Sequence, residues 1–517
     1  MILRKIKNKS LFILIFLFFL SRIFFITTDP VMFDSSEYAR RLSENNLFTA
    51  IVSGHIPYHA GYILLFWPIF NFAKFINFSS LYLVLFSQVI LATFSIYFFY
   101  KSVKILFDEK TALFSTIFAS LFPLYWIANL TVMIETTYVS FFIFSLYFLL
   151  LYLKKKKIFF LLLSSFFFGF SFFIQFSVIL WLPFLIALCY FLNKKIVYKV
   201  SLYFLISLSL FGSISVYLLA YSSSISFANA FLVSYFSHQG DIPKDFSIYD
   251  FFVYLRNFII PLLRNNTNLI VILGFISIFK LFFSNKKYFW LLFLLVLPSI
   301  ILNQAWDSLF FGRHSVITGF GLAILTSLLI NKNIKYAFLI ILYLIFTTFP
   351  QLPLLKNVPY LVEANFVKNL PKGLLIISHF EKPYIKESYN GEVLSTIEGG
   401  LEEKLNEYLK NRKKIFITSS AVSDPYGLYS GPYLHSLSLS YKHSYLLKPL
   451  LTKYLVYEYK KISEEDNLII YSIAKKEKSS YPAVKNMRAS RRRIDFFDPI
   501  TQIWLYLDKK FKILHSP

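Results

Sequence analysis

The first residues that could do chemistry follow an apolar segment that ends near residue 28. Asp34 and Glu37 stand three positions apart there. A carboxylate held where the chain leaves a membrane can accept the proton of a hydroxyl group, so Asp34 is a candidate general base. The same pair fits a capping box, in which Asp34 caps a helix that runs to about Val52 and Glu37 completes the cap. Both roles are open to Asp34.

Two histidines follow in the same segment, His55 and His59, with Tyr62 shortly after them. Imidazole is the commonest side-chain metal ligand, and the two histidines are close enough in sequence to share an ion. They also lie near tyrosines and Trp67, which are typical of the membrane–water interface. A metal site and an ordinary interfacial pair are therefore alternatives.

Two further candidates lie later in the chain. Glu135 stands at the end of an apolar segment, where a carboxylate either faces a polar cavity or is a solvated loop residue. Arg313 lies between Gly312 and His314 in a short polar segment. A guanidinium can grip a phosphate through two parallel hydrogen bonds, and it can equally extend to lipid head groups. Glu135 and Arg313 are thus candidate substrate-binding residues.

The elements that must position these residues are membrane spans. The chain of 517 residues is 56% hydrophobic and only 16% charged, whereas soluble domains average roughly 25% charged residues. Its apolar segments approach the ~20 residues that cross a ~30 Å hydrocarbon layer. We therefore predict an all-α polytopic membrane protein over residues 1–350. Its spans, about eleven in number, lie near residues 11–28, 81–100, 111–128, 134–153, 158–175, 177–192, 200–221, 267–284, 288–303, 315–331 and 335–350.

Charge placement gives these spans a direction. One set of connecting segments is short and rich in lysine: Arg4, Lys5, Lys7, Lys9, Lys101, Lys104, Lys110, Lys154–Lys157, Lys194, Lys195, Lys199, Lys280, Lys286, Lys287, Lys332 and Lys335. The alternate set is longer and holds fewer cations: Arg40, Arg41, Lys74, Lys244, Arg256, Arg264 and Arg313. The positive-inside rule places the N-terminus in the cytoplasm, and loops 29–80 and 222–266 and the C-terminal region outside. This placement explains the formal charge of +25 without a nucleic-acid partner.

The C-terminal region, residues 351–475, is predicted to be a small extracytoplasmic α/β domain. Helical spacing at 360–370 and 401–410 alternates with β-rich runs at 374–379, 414–420, 455–460 and 468–474. No glycine-rich phosphate loop opens its helices, so recognition or structural support is expected of it. Residues 476–517 form a basic segment, suited either to anionic lipid or to solvent.

The order of these features resembles the GT-C superfamily of polytopic glycosyltransferases. The likeness is to the bacterial branch that includes protein O-mannosyltransferase-like and lipid A aminoarabinose transferase-like enzymes. Residues 34–38, Asp-Ser-Ser-Glu-Tyr, resemble the acidic motif of that family's first loop. Residues 59–64, His-Ala-Gly-Tyr-Ile-Leu, resemble its His-Pro-Pro-Gly-Tyr-Pro-Leu stretch, but lack the prolines and shift the histidine by one place. In layout the resemblance covers residues 1–350.

The resemblance implies an inverting transfer of one sugar from a polyprenyl-phosphate donor. The acceptor, a protein, glycolipid or polysaccharide, would lie on the outer face of the plasma or inner membrane. In this role Asp34 is the base, Arg313 with His314 stabilises the departing phosphate, and Glu37, Glu135 and His59 bind substrate. A divalent metal ion held by Asp34 and Glu37 is left open, because family members differ in metal dependence.

Two alternative functions have different signatures. A polysaccharide polymerase or O-antigen ligase also has many spans and outer-loop arginines, but it uses a lipid-diphosphate donor and generally lacks an acidic motif just after the first span. A lipid-linked sugar flippase or transporter predicts ionisable residues, or glycine and proline breaks, near span midpoints. The predicted spans are nearly free of charge, with Arg22 close to an end, which disfavours transport.

Overall fold

The computed structural model describes residues 2–28, 33–54, 58–230, 267–305, 315–330, 333–349, 359–377, 388–396, 400–422, 454–463 and 468–475, together with Leu352 and Ile385. These residues form two compact units. The helical unit takes in residues 2–28 and 38–349, and the second unit takes in residues 33–37 and the C-terminal sheet with its helices.

The helices of the first two-thirds of the chain form largely where the apolar segments predict them. They are α1 (Ile2–Ile23), α2 (Phe33–Leu42), α3 (Leu47–Val52), α4 (Ala60–Phe75), α5 (Ser80–Leu106), α6 (Glu109–Leu121), α7 (Pro123–Leu130), α8 (Ile134–Lys155), α9 (Ile158–Ile174), α10 (Leu182–Leu192), α11 (Val197–Ser223), α12 (Asn268–Ser284), α13 (Lys286–Ala305), α14 (Val316–Ile330) and α15 (Ile334–Thr348), with 3-10 turns at Phe176–Trp181 and Lys194–Ile196.

Within the described ranges, three helical segments are long and apolar enough to cross a membrane: Ser80–Leu106, Ile134–Lys155 and Lys194–Ser223. The bent pair α6 and α7 qualifies as a fourth, broken span. Most other predicted spans coincide with shorter apolar helices of 10–17 residues. The predicted all-α architecture is confirmed, while the count of about eleven spans stays a prediction.

The first predicted outer loop is more helical than its sequence suggests. The single helix predicted from Asp34 to about Val52 is wrong, because the structure has two helices, α2 and α3, separated at residues 43–46. Helix α3 begins after Asn46, because the Asn46 side chain caps it by accepting hydrogen bonds from the amides of Phe48 and Thr49. The loop also contains α4, an apolar helix of 16 residues that was not predicted.

The predicted span at 111–128 is broken near its middle. Pro123 lacks a backbone N–H and begins α7, and Phe122 before it is extended, as a residue preceding proline prefers. The axes of α6 and α7 differ by 60°. A break of this kind leaves peptide groups that an apolar surrounding cannot satisfy, so they need partners from other helices.

Two side chains from distant helices bind the carbonyl groups that end α6. Nη2 of Arg22, in the last turn of α1, donates to the carbonyl of Ser120, and Oγ1 of Thr348, at the end of α15, donates to the carbonyl of Leu121 over 2.8 Å. The Arg22 guanidinium is 1% exposed. It lies 3.7 and 3.8 Å from the ring centroids of Phe18 and Trp126. Cation–π contacts on two rings compensate part of its lost hydration.

The C-terminal unit contains a five-stranded sheet in the order β2-β1-β3-β5-β4. Strands β1, β2 and β3 are parallel, and β4 and β5 form an antiparallel pair against β3. Its elements are α16 (Pro359–Val367), β1 (Leu374–Ile377), β2 (Glu392–Ser395), α17 (Leu401–Lys410), β3 (Ile415–Thr418), α18 (Ser419–Val422), β4 (Tyr454–Ser463) and β5 (Leu468–Lys475). The predicted α/β character is confirmed. Strand β2 was missed because it has only four residues, three of them partly exposed.

A buried carboxylate ties α16 to the sheet within this unit. Glu363 is fully buried and accepts hydrogen bonds from the hydroxyl groups of Ser419 (2.6 Å) and Ser420. The hydroxyl of Ser419 in turn accepts from the amide of Ile469 on β5 over 3.1 Å. These bonds fix the carboxyl end of β3 against α16. We therefore assign Glu363 a structural role.

Helices α9 and α11 approach closely at Gly169. A Cβ atom added to Gly169 would collide with the hydroxyl of Ser207 and would lie 2.6 Å from the ring of Phe211. Gly212, on α11, is a natural comparison, because a Cβ added there meets nothing closer than Phe172 at 3.7 Å. Packing therefore requires glycine at position 169 but not at position 212.

We expect Gly169→Ala to destabilise the helical unit by about 1–3 kcal/mol, the usual cost of overpacking a dense core. Thermal unfolding of the purified protein in detergent measures the effect as a lower melting temperature. Gly212→Ala is the matched control and should melt within a degree or two of the wild-type protein. Equal melting temperatures for the two variants would contradict the close approach at Gly169.

Candidate active site

The turn between α7 and α8 carries a cluster of buried polar side chains. Asn129, Glu135 and Thr136 are all fully buried. The hydroxyl of Thr136 donates a 2.7 Å hydrogen bond to Oδ1 of Asn129. This bond joins the last turn of α7 to the first turn of α8 and so closes the turn beside Glu135.

Glu135 is the acidic residue of this cluster. It lies in the first turn of α8, where the helix dipole favours a negative charge, and its solvent exposure is 0%. Burying a carboxylate among apolar helices is costly unless polar groups face it. The alternative in which Glu135 is a solvated loop residue is therefore wrong.

The first-loop residues His59 and Tyr62 reach the same part of the helical unit. The hydroxyl of Tyr62 donates to Oε1 of Gln88 over 3.3 Å. The rings of His59 and Tyr62 both contact Tyr38, with centroid distances of 5.8 and 5.2 Å. A continuous series of contacts thus runs from His59 through Tyr38 and Tyr62 to Gln88.

The hydrogen bonding of His59 fixes its tautomer. Nδ1 lies 2.8 Å from the carbonyl oxygen of Ile174. Because a carbonyl oxygen only accepts, Nδ1 must carry the hydrogen. In the neutral ring Nε2 is then the acceptor, which is the nitrogen that could bind a hydroxyl group or a metal ion.

The backbone that presents His59 is strained. Tyr58 and His59 have φ values of 63° and 47°, in the left-handed region that non-glycine residues seldom adopt. Consecutive residues in this conformation cost free energy and persist only when surrounding contacts enforce them. Here the contacts are the bond from Arg41 to the Tyr58 carbonyl and a 2.7 Å bond between the hydroxyls of Tyr58 and Ser222.

Arg41 holds the backbone around this turn in place through hydrogen bonds. Its guanidinium is fully buried and donates to the carbonyls of Ala50 (2.8 Å), Ile51 (2.6 Å) and Tyr58. Gly54 is required by the same arrangement, because a Cβ there would lie 2.5 Å from Nη1 of Arg41. Arg41 therefore connects α2 to the end of α3 and to the start of α4.

Asp34 and Glu37 lie in α2, which begins at Phe33. This start places Asp34 in the first turn of the helix, three residues before Glu37. Glu37 is half-buried, and the side chain of Asp34 lies outside the described residues.

The remaining predicted site residues also lie outside the described ranges. Arg313 and His314 fall between α13, which ends at Ala305, and α14, which begins at Val316, and His55 falls just before the Tyr58 turn. In the part of the chain that the structure covers, no group of three or more His, Cys, Asp or Glu side chains could hold a metal ion. The roles of Arg313, His314 and a metal ion thus stay predictions.

Sequence reasoning missed two residues that shape this region: Arg41 and Gln88. Gln88 carries a detectable signal, because it is an amide in the otherwise apolar predicted span at 81–100, and such residues usually face the bundle interior. Arg41 had been counted only as a loop cation. The structural role of Arg41 depends on the free carbonyl groups at the end of α3. The spacing of residue types in the sequence does not reveal where that helix ends.

Comparison with known protein families agrees with the geometry. The family model described as dolichyl-phosphate-mannose-protein mannosyltransferase matches residues 59–218. The matched segment includes His59, Tyr62, Gln88 and Glu135. No curated protein sequence matches the chain.

Solved structures share the fold at low sequence identity. The archaeal oligosaccharyltransferase AglB from Archaeoglobus fulgidus, in complex with an inhibitory peptide and a dolichol-phosphate, is 11% identical, with a TM-score of 0.52 over 92% of this chain and 75% of that chain. The apo form of the Archaeoglobus fulgidus enzyme has a TM-score of 0.54 at 11% identity and the same coverage. ArnT from Cupriavidus metallidurans bound to undecaprenyl phosphate is 9% identical, with a TM-score of 0.48 over 89% of this chain and 97% of that chain.

The two kinds of comparison are independent, since one scores sequence over residues 59–218 and the other scores backbone over nearly the whole chain. The family match falls within the apolar helices, and the structural likeness takes in nearly the whole chain. Residues 59–218 thus match a glycosyltransferase family in sequence, and the chain shares its fold with a membrane glycosyltransferase of known structure.

Proposed function

We propose that the chain transfers one sugar, with inversion, from a polyprenyl-phosphate donor to a hydroxyl acceptor on the outer face of the cell membrane. The observation that carries the proposal is the fully buried carboxylate of Glu135 at the polar turn closed by Asn129 and Thr136, inside the segment matched by the mannosyltransferase family. That family's description specifies a dolichyl-phosphate mannose donor, and the similar AglB structure contains a dolichol-phosphate. A lipid monophosphate donor fits both.

The proposed reaction needs one base and one cation. Asp34 takes the proton of the acceptor hydroxyl, whose oxygen bonds to the anomeric carbon on the face opposite the phosphate. The bond between the anomeric carbon and the phosphate oxygen breaks, and its electron pair leaves with the polyprenyl phosphate. Because phosphate is already a stable anion, the second carboxylic acid that a glycosidase needs is dispensable. Arg313 and His314 offset the charge of the leaving group.

Three other side chains bind substrate in this proposal. Glu135 accepts hydrogen bonds from sugar hydroxyls. His59 has the same capacity at Nε2, because its tautomer is fixed by Ile174. Glu37, on α2 with Asp34, orients the acceptor. Two neighbouring carboxylates also suit a hard divalent cation such as Mg²⁺, but no step of the reaction depends on one.

The outer-face assignment rests on charge placement. The lysine-rich short segments mark the cytoplasmic side, so α2 to α4 and the C-terminal sheet lie on the opposite side. This placement brings the site to the face where an acceptor protein, glycolipid or polysaccharide of the cell envelope is available.

A lipid-linked sugar flippase is the second candidate, and one observation favours it. The span formed by α6 and α7 is discontinuous, as the substrate-binding helices of many transporters are. Purified protein distinguishes the two functions, because a transferase forms a new glycosidic bond in detergent solution, where no membrane separates two compartments.

The function is tested by mass spectrometry of envelope glycans and glycoproteins from a strain that lacks the gene and from the same strain carrying the wild-type copy. Loss of a single sugar residue that the wild-type copy restores is the expected result. Loss of a whole repeating unit would indicate a polymerase or ligase instead. Identical glycan profiles in the two strains would contradict a role in sugar transfer.

Asp34→Asn should lower sugar transfer by about 10²–10⁴-fold, the usual contribution of a general base. Asparagine keeps the size of the side chain but cannot take the proton. The measurement is transfer of labelled sugar by the purified variant, with its melting temperature as a check on folding.

Asp108→Asn is the matched control for Asp34→Asn. Asp108 caps α6 by accepting from the amides of Lys110 and Thr111, and asparagine caps a helix equally well. Its transfer rate should stay near the wild-type value. Near-normal transfer by Asp34→Asn would exclude Asp34 as the base.

Arg313→Ala should weaken the use of the donor by about 10²–10³-fold in kcat/KM, because the charge of the departing phosphate is no longer offset. Its melting temperature should change little. Arg40→Ala is the control, since Arg40 is an exposed outer-loop arginine that pairs with Glu44 over 2.8 Å. If Arg313→Ala and Arg40→Ala retain the same kcat/KM for the donor, the phosphate-binding role is wrong.

A further inference from the structure

Gln88 is a fully buried amide on α5 whose hydrogen bonds reach two other helices of the helical unit. Its Nε2 donates to the carbonyl oxygens of Ala128 (2.7 Å) and Thr131 (2.9 Å). Carbonyl oxygens only accept, so this face of the amide must be the NH₂ group, and both of its hydrogens are used. The orientation of the amide is thereby determined.

The two carbonyls lie at the end of α7, where the chain turns towards Glu135. Ala128 is in the last turn of α7, and Thr131 is the first residue after it. The helix leaves its last carbonyl groups without partners of its own, so the amide of Gln88 acts as a side-chain cap. The cap therefore fixes the point at which α7 stops and the path that the chain takes to the first turn of α8.

The opposite face of the same amide meets the first-loop motif. Oε1 of Gln88 accepts from the hydroxyl of Tyr62 over 3.3 Å. Helix α4 is itself held tightly here, because a Cβ added to Gly61 would lie 2.7 Å from Cγ1 of Ile174. One amide therefore connects α4, which carries the motif, with the turn that carries Glu135.

We propose that Gln88 is a positioning residue for sugar transfer, which sets Glu135 relative to Tyr62 and His59. The inference rests on the proposed function, because it assigns Glu135 to substrate binding. Gln88 contacts no reacting atom in this role. It acts by holding the turn at residues 128–135 against α4, where a misplacement of about 1 Å can cost ~10²-fold in rate.

Gln88→Met tests the inference, since methionine has nearly the same length and volume but no hydrogen-bonding group that could replace the amide. Turnover is measured on the full-length protein in lipid nanodiscs. The donors are synthetic polyprenyl-phosphate hexoses and pentoses, and the acceptor is the envelope fraction of the deletion strain. We expect kcat to fall about 10–100-fold while KM for the donor changes less than about threefold.

Tyr125→Phe is the matched control for a purely structural effect. The hydroxyl of Tyr125 is buried and bonds to Oγ of Ser95 over 2.8 Å. This bond also joins α5 to α7, but at the start of α7 and about two helical turns away from Gln88. Tyr125→Phe should lose a comparable amount of thermal stability and keep kcat within about twofold of the wild type.

A local readout and a milder variant complete the test. Hydrogen exchange at the amides of residues 129–136 should speed up in Gln88→Met and not in Tyr125→Phe.

Tyr62→Phe removes only the hydrogen bond that links Gln88 to α4, and it should lower kcat by about 3–10-fold. Combining it with Gln88→Met should cause no further loss, because both changes break the same connection. If Gln88→Met does not fold, Tyr62→Phe decides, and wild-type kcat in Tyr62→Phe would overturn the inference.

The outcomes separate this inference from the proposed function. A wild-type chain that transfers no lipid-linked sugar overturns the proposed function, and the inference with it. A Gln88→Met variant that loses no more turnover than Tyr125→Phe overturns the inference alone. Slower turnover with unchanged exchange at residues 129–136 also overturns it, because the effect would then not pass through the turn.

Discussion

Every peptide group in an apolar surrounding needs a hydrogen-bond partner, and the helical unit meets this constraint at its broken span. Pro123 stops α6 and starts α7 at a 60° angle. The carbonyl groups that end α6 at the break are bound by side chains of Arg22 and Thr348, and those at the end of α7 are bound by Gln88. The two halves of the broken span thus connect α1, α5 and α15 through polar contacts as well as apolar packing.

The same constraint explains why the candidate site lies where it does. The broken span ends in a buried turn, and that turn contains the fully buried polar side chains of Asn129, Glu135 and Thr136. The cost of burying Glu135 and Gln88 is offset only by specific partners, so the site and the fold around it depend on each other.

Hydropathy and local patterns predicted much of this architecture. Long apolar segments mark the positions of most helices, and β-rich runs mark four of the five strands, because both signals are local. The resemblance carried by residues 34–38 and 59–64 led to the superfamily that the comparisons support. Asp34, Arg313 and His314 were chosen by residue type and position, and their roles still await experiment.

What the sequence did not reveal depends on contacts between distant segments. A hydropathy window averages over Pro123, so the break inside residues 111–128 was invisible. The capping pattern at Asp34 and Glu37 suggested one long helix, but Asn46 starts a second one by binding its own neighbours. The caps supplied by Arg22 and Gln88 require residues that are 40 to 98 positions apart along the chain to come together, and the burial of Glu135 likewise depends on packing between helices.

The buried guanidinium of Arg22 has a consequence for how the protein enters the membrane. Its carbonyl partner, Ser120, is 98 residues further along the chain, and the Trp126 ring that covers it follows later still. During synthesis the first span is made long before these partners exist. Until then its arginine can be satisfied only by water and lipid head groups at the interface. The arrangement of α1 is therefore reached after insertion. Arg22 leaves the interface when α6 and α7 have been synthesised and can bind its guanidinium.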